Sequence, residues 1–249
     1  KSQIKKDVSF SEDVRIDNLF SQSSDFFGRV DFGTGLISST AYFHKIIFYE
    51  QVVINKEFRI HYLTLANVYA KHNVSIIYKD NVESLDINDC KFDSTLNCYC
   101  PDEDSNENSD GMKCDFGGLL NGNIVFENVP ISPLTISAVN FGNLVFKRIR
   151  IKLVLIHDFY NHGKLTISNI ILDKTYNTLV IFDSNIDSTE FINIDFRKFD
   201  EVVVAKSNVS NFLLSNSIFP NEIQTKTRDP RLGYVIPPEE MIDENMYFR

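Results

Sequence analysis

The sequence predicts an all-β protein: a single-domain parallel β-solenoid with coils of 22–23 residues, two loop insertions and a non-repetitive C-terminal tail. Three observations predict this fold class. Apolar residues recur every eleven positions over residues 8–92, two kinds of eleven-residue segment alternate there, and a related apolar pattern resumes at Ile124. A short strand that cannot bury its apolar side alone gains a core when copies of it stack.

The eleven-residue recurrence predicts short strands with one buried side. Two registers, two residues apart, carry it, and fifteen of their sixteen positions are apolar although the whole chain is 43% hydrophobic. The next alternate position is mostly polar, as expected for a strand that alternates between core and solvent. The first register comprises Val8, Leu19, Val30, Ala41, Val52, Leu63, Val74 and Leu85, and the second comprises Phe10, Ser21, Phe32, Phe43, Ile54, Leu65, Ile76 and Ile87.

The true repeat is twice as long as this recurrence. The position seven residues after every second strand start is occupied by Phe26, Phe48, Ala70 and Phe92, each 22 residues after the last. The intervening halves place their apolar residues one position to either side of it. Two unlike halves therefore make one coil of 22 residues, and we expect each coil to lie about 4.8 Å from the next.

The pattern is interrupted twice. The first interruption, residues 93–123, contains an acidic run with no apolar residue, so we expect a surface loop insertion there. The apolar pattern resumes at Ile124 with strand starts ten residues apart. The second interruption, residues 152–164, is likewise predicted to be an insertion.

The stack is predicted to span residues 8–219 as one domain. The apolar pattern returns at Leu165 after the second interruption, and its periodicity ends beyond Phe219. Residues 220–249 are expected to cap the stack or to act as a linker, because an open strand edge invites aggregation. Three asparagines at equivalent positions after strands predict a stacked turn, since asparagine tolerates left-handed backbone: Asn169, Asn193 and Asn216.

Runs such as residues 183–196, with phenylalanines recurring around a five-residue spacing, resemble the pentapeptide-repeat family. The resemblance covers roughly residues 8–92 and 124–219, and it implies a right-handed quadrilateral β-helix. The chain departs from the family because its coils are longer than four strict fives, and because two interruptions occur. A general right-handed parallel β-helix is therefore an equally good description. Leucine-rich repeats are disfavoured, because one residue rather than two separates Ile167 from Asn169.

Charge and hydropathy exclude several classes of function. The net charge of −9 argues against generic binding to nucleic acid, which depends on Lys and Arg at phosphates. It favours solubility and is compatible with a basic protein partner. No run of 18 apolar residues is present, so no transmembrane segment is predicted in this chain. We expect a soluble segment, with the cytoplasm slightly favoured; the oligomeric state stays open.

Four cysteines concentrate around the first interruption. Only two of them are close in sequence, and with a single residue between them they do not match the usual spacing of a zinc site. Three states stay open at this point: a disulfide that ties the insertion to a coil, a metal site, or free thiols packed as small apolar groups. The cysteines are Cys90, Cys98, Cys100 and Cys114.

Two groups of polar residues are candidate binding sites. The acidic run offers a contact for a basic partner through Asp102, Glu103, Asp104, Glu107 and Asp110. The second interruption offers side chains that bind metals or transfer protons, namely His157, Asp158, Tyr160 and His162. A third ligand at a recognisable spacing is missing from the second group, so a solvated loop is the plainer interpretation.

No catalytic motif and no cofactor is predicted. The sequence contains no Gly-rich phosphate loop and no nucleophile elbow, and its acids are not separable from turn chemistry. The leading hypothesis is a non-enzymatic scaffold for protein–protein interaction. The alternative is a carbohydrate-binding or carbohydrate-active β-helix, which as a hydrolase needs paired carboxylates. Some pentapeptide-repeat proteins mimic DNA and bind topoisomerases, which the acidic charge allows, although the ladder lacks a continuous acidic face.

Overall fold

The computed structural model describes residues 2–10, 14–101, 111–172, 177–205, 207–209 and 211–218. These residues form 27 short strands and one 3-10 helix, Phe196–Lys198. The first fourteen strands are β1 (Ser2–Ile4), β2 (Val8–Phe10), β3 (Val14–Gln22), β4 (Ser24–Phe26), β5 (Val30–Phe32), β6 (Gly35–His44), β7 (Ile47–Phe48), β8 (Val52–Ile54), β9 (Phe58–Ala66), β10 (Tyr69–Ala70), β11 (Val74–Ile77), β12 (Val82–Asn88), β13 (Lys91–Tyr99) and β14 (Met112–Glu127). The others are β15 (Pro130–Asn140), β16 (Asn143–Lys147), β17 (Arg150–Ile151), β18 (Leu153–His157), β19 (Tyr160–Asn161), β20 (Lys164–Ser168), β21 (Ile171–Leu172), β22 (Thr178–Phe182), β23 (Asn185–Ile186), β24 (Thr189–Ile192), β25 (Glu201–Ala205), β26 (Asn208–Val209) and β27 (Phe212–Ser215).

The strands stack in parallel as a right-handed β-solenoid of about 9 turns, which confirms the predicted fold class. Each coil contributes strands to two sheets. Sheet A includes β5, β8, β11, β16 and β20, and sheet B includes β3, β6, β9, β12 and β18. The long strand β14 runs through both sheets, because its first half pairs with β12 and its second half with β16.

The register confirms the repeat length predicted for the first coils. Val8 pairs with Val30 and Val30 with Val52 in sheet A, whereas Leu19 pairs with Ala41 in sheet B. The two unlike halves seen in the sequence thus start in different sheets, and each half continues into the other sheet, as Phe26 of the second half does when it pairs with Phe48 in sheet A. Inward side chains of both sheets form a single hydrophobic cluster that extends from Phe26 to Val202.

Later coils keep the register but change in length. Ile124 pairs with Leu144 and Leu144 with Leu165, so these coils are slightly shorter than the first ones. Leu165 pairs with Thr189, which makes the next coil slightly longer than the first ones. The strands stay aligned because the turns between the sheets absorb the added or missing residues.

One corner of the solenoid is a stack of residues with left-handed backbone, as predicted. Asn169, Asn193 and Asn216 have φ values of 53°, 56° and 51°. The Asn193 amide donates from Nδ2 to Oδ1 of Asn169 at 2.8 Å. Asparagine suits this position because its short side chain tolerates positive φ and bonds to the next coil.

The first predicted insertion was too wide. Residues 91–99 belong to β13 and residues 112–127 to β14, so most of the span 93–123 lies in the sheets. Leu96 pairs with Ile124, so the coil between these positions has 28 residues, six more than the 22 from Val74 to Leu96. Residues 102–110 lie outside the described residues, as do residues 220–249, so the predicted loop and cap are not described.

The second predicted insertion was wrong. Residues 153–157 form β18 and residues 160–161 form β19, and both strands pair with β15 on one side. Their other edges pair with β22 and β23. The apolar pattern looked broken because this coil presents polar and aromatic side chains outward at its corner, while Val154, Ile156 and Phe159 stay buried in the core.

Candidate functional site

The five acidic residues of the predicted contact lie outside the described residues. Asp102, Glu103, Asp104, Glu107 and Asp110 belong to the connection between β13 and β14. The described residues before and after this run belong to different sheets, since Tyr99 pairs with Glu127 in sheet A and Met112 pairs with Ile131 in sheet B.

The four cysteines are buried free thiols. Cys98 and Cys114 project into the core from β13 and β14, and burial raises the pKa of both thiols well above the usual range. Burial also raises the pKa of Cys90, to about 12, and its Sγ lies 3.2 Å from the carbonyl oxygens of Leu65 and Asn88. No group of three His, Cys, Asp or Glu side chains in the described ranges is arranged to hold a metal.

The histidines of the second predicted cluster form separate hydrogen-bonded contacts with different aspartates. His157 Nδ1 lies 2.9 Å from Oδ2 of Asp158, and His162 Nδ1 lies 3.2 Å from Oδ2 of Asp187. His157 ends β18, whereas His162 follows β19 at the corner of the coil. The cluster is therefore divided, and only Tyr160 and His162 share one outer surface.

That surface contains a group of exposed and half-exposed apolar and aromatic side chains that we call the corner patch: Leu119, Val139, Phe141, Tyr160 and His162. Leu119 pairs with Val139 and Val139 with Tyr160, so these three residues come from consecutive coils and lie in one row along the solenoid. Leu119, Phe141 and Tyr160 are 50%, 53% and 47% exposed. The patch brings together Leu119, from the first predicted interruption, with Tyr160 and His162, from the second.

Two aromatic rings form the second row of the patch. The Phe141 and His162 rings stack with centroids 5.1 Å apart at an interplanar angle of 23°. The backbone N–H of His162 donates to the carbonyl of Asn140 at 2.8 Å, and that of Asp187 donates to Asn161 at 3.0 Å. These bonds place Phe141, His162 and Asp187 in neighbouring coils.

A buried polar ladder supports the patch from the inside. Asn140 and Asn161 are fully buried, and Nδ2 of Asn140 donates to Oδ1 of Asn161 at 2.8 Å. Oδ1 of Asn140 accepts from the N–H of Gly142 at 3.1 Å. Because buried amides that are fully bonded resist rearrangement, the backbone beneath the patch is held in one conformation.

A glycine ladder brings the coils close together at the same corner. A Cβ atom on Gly142 would lie 1.8 Å from the carbonyl oxygen of Gly122, and one on Gly163 would lie 1.7 Å from that of Gly142. Only glycine allows this approach. The corner is thus built by Asn140-Phe141-Gly142 and Asn161-His162-Gly163, two Asn-X-Gly triplets at equivalent positions of successive coils.

Aspartates border the corner patch. Asp89 accepts the backbone N–H of Leu119 at 2.8 Å, and Asp187 pairs with His162. Asp158 and Asp183 occupy equivalent turns of successive coils, with φ values of 48° and 46°, and both are exposed. The border is therefore acidic on the side that faces sheet B.

A shallow cavity of about 360 Å³ opens near the end of the described stack. Its lining includes Ile170, Leu172, Asp195, Lys198 and Phe199. The Asp195 carboxylate accepts two bonds from the Arg197 guanidinium, at 2.8 and 2.9 Å. Because the guanidinium favours the charged form, the pKa of Asp195 is lowered, which does not suit a general acid.

Sequence reasoning placed Tyr160 and His162 on the surface but missed Leu119, Val139 and Phe141. The spacing of these three residues partly matches that of the core residues, so the sequence pattern suggested that their side chains are buried. The repeated Asn-X-Gly triplet was the available signal, because its glycines and asparagines set which neighbouring side chains point outward. Asp187 belongs to no motif by which the sequence could have selected it.

Within the described ranges, no helix has the length and hydropathy needed to cross a membrane. Comparison of the chain with protein-family models, with curated proteins and with solved structures found no match. The β-solenoid architecture is therefore assigned from the strand pairing alone.

Proposed function

We propose that the protein is a non-enzymatic β-solenoid scaffold that binds a protein partner through the corner patch. The observation that supports this most strongly is the half-exposed group of Leu119, Phe141 and Tyr160 on one rigid corner. Apolar side chains exposed singly are common on protein surfaces, but contiguous ones mark interaction sites.

The supporting structure of the patch suits binding. Ladder hydrogen bonds and the buried Asn140–Asn161 pair fix the backbone, so little conformational entropy is lost when a partner docks. Tyrosine and phenylalanine are also frequent at the centres of interfaces.

Affinity capture with the whole chain tests the proposal. Wild-type protein and the double variant Phe141→Ser with Tyr160→Ser are used as baits, and captured proteins are identified by mass spectrometry. Tyr62→Ser is the matched control, because Tyr62 is 54% exposed on the outer surface of sheet B, away from the patch.

A partner that supports the proposal binds wild type and Tyr62→Ser alike and is lost with the double variant. The purified partner should then bind at least about tenfold more weakly to the double variant, as expected when central aromatic contacts are removed. Equal binding to all three baits contradicts a role for the patch.

Carbohydrate binding is the second candidate, because the patch combines aromatic rings with the carboxylate of Asp187. Aromatic stacking and hydrogen bonds to carboxylates are a usual way to hold sugars. Phe141 already stacks on His162, however, and the aliphatic Leu119 and Val139 favour a protein partner. Binding to a glycan array that is lost with Tyr160→Ser supports this candidate over the first.

We propose two further features of the protein and a compartment for it. The acidic residues 102–110 are a second contact for a basic partner, tested by replacing their carboxylates with amides. The likeness to pentapeptide repeats leaves topoisomerase binding as a lesser alternative, and absence of inhibition in a gyrase supercoiling assay would remove it. Four buried free thiols fit a reducing compartment, which favours the cytoplasm.

A further inference from the structure

We infer that the partner of the corner patch presents an extended segment with a large apolar residue and a Lys or Arg two or four positions away. This inference rests on the proposed function and specifies the chemistry of its partner. It follows from the position of the aspartates relative to the apolar rows.

The apolar rows set where the large side chain lies. Leu119, Val139 and Tyr160 come from three consecutive coils, so their row is about 10 Å long at the usual spacing between strands. Phe141 follows Val139 by two residues, so we expect a large apolar side chain of the partner to contact both rows. A row parallel to the solenoid axis favours an extended segment that runs along it.

The aspartates set the charge of the partner. Asp158, Asp183 and Asp187 border the patch, and in the described residues His157 and His162 are the basic groups that pair with two of them. Asp187 lies two coils from Phe141, which is about 10 Å. Alternate residues of an extended segment share one side and are about 7 Å apart, and the flexible stem of Lys or Arg covers the difference.

The same charges disfavour other classes of ligand. Nucleic acid and anionic membranes both present phosphates, which the aspartates and the net charge of −9 repel. Attraction between an acidic border and a basic segment should weaken as ionic strength rises, because exposed charges are screened.

Selection from a displayed library of random dodecapeptides tests the inference. The library is selected on the immobilised whole chain, while an excess of the soluble double variant, Phe141→Ser with Tyr160→Ser, removes peptides that bind elsewhere. Enriched peptides are synthesised, and their binding is measured by fluorescence anisotropy at low and high salt.

Charge-neutralising variants decide the outcome. We expect enriched peptides to carry the apolar and basic pair and to bind at least about fivefold more weakly to the Asp183→Asn and Asp187→Asn double variant. The control double variant, Glu50→Gln with Glu57→Gln, changes the net charge equally but lies in earlier coils, and it should bind like wild type.

The contrary outcomes are distinct. Enriched peptides that are neutral or acidic, or that bind the aspartate and control variants equally, overturn this inference while the patch remains a protein-binding site. Failure to enrich any peptide that depends on Phe141 and Tyr160 counts against the proposed function as well.

Discussion

Individual buried asparagines decide how the corner patch is presented. Asn161 accepts from Asn140 at 2.8 Å, bonds to the N–H of Gly163 at 3.3 Å and donates to the carbonyl of Ser188 at 3.2 Å. It thus connects three coils through one side chain. A buried polar group that loses its partner keeps the full cost of its desolvation.

Replacement of Asn161 by Ala should therefore lower the free energy of unfolding by about 1–3 kcal/mol, because Nδ2 of Asn140 and the Gly163 N–H lose an acceptor. Urea denaturation measures the change. Asn143→Ala is the control, since Asn143 is exposed and bonds at the surface to Asn123. Its stability should stay within about 0.5 kcal/mol of wild type. Equal losses of unfolding free energy for both variants would show that the buried Asn140–Asn161 hydrogen bond contributes no more to stability than a surface hydrogen bond does.

At the scale of elements, the strands that carry the cysteines bring neutral thiols into the core. A thiol titrates near pH 8.5 in an unfolded chain, whereas the pKa of buried Cys90 is raised to about 12. The unfolded state therefore releases this proton at lower pH than the folded state does. Stability from the neutral thiol is fully present below about pH 8.5 and is lost as the pH rises toward 12.

Above about pH 9, the free energy of unfolding should fall by about 1.4 kcal/mol per pH unit more steeply in wild type than in Cys90→Ser. Serine retains a donor for the carbonyls of Leu65 and Asn88 but does not titrate in this range. Urea denaturation between pH 7.5 and 10.5 provides both curves. Parallel curves would mean that Cys90 is not held as a neutral thiol.

At the scale of the whole molecule, stability is a sum over neighbouring coils. Each strand of a central coil bonds to the coil on either side, as β12 does with β9 and β14. In the described part of the chain, β1 and β2 pair only with β4 and β5. A solenoid of this kind is expected to open locally from its less supported coils.

Amide hydrogen exchange should therefore be faster in β1 and β2 than in the central strands β12 to β18. The first strands also bury less apolar surface, since Ile4, Val8 and Phe10 are only partly buried, whereas Ile87 and Ile136 are fully buried. Exchange followed by mass spectrometry of peptides measures the gradient. Uniform protection along the chain would indicate that the stack unfolds as a single unit.

The sequence by itself determined the parallel β-solenoid, the length of its first coils and the stacked asparagine turn. These features depend on periodic apolar side chains and on local backbone preference, both of which are written along the chain. Leu19, Ala41 and Leu63 met in one row as their spacing predicted.

Only the tertiary structure decided that residues 153–157 and 160–161 are strands and that Leu119, Phe141 and Tyr160 share one surface. Whether an apolar residue at a corner turns inward or outward depends on the turns of the coils above and below. At this corner the Asn140–Asn161 pair and the approach of Gly142 to Gly122 turn Phe141 outward. Such contacts join residues that lie a whole coil apart in the chain, so a single Asn-X-Gly triplet does not reveal them before the two triplets are aligned in the stack.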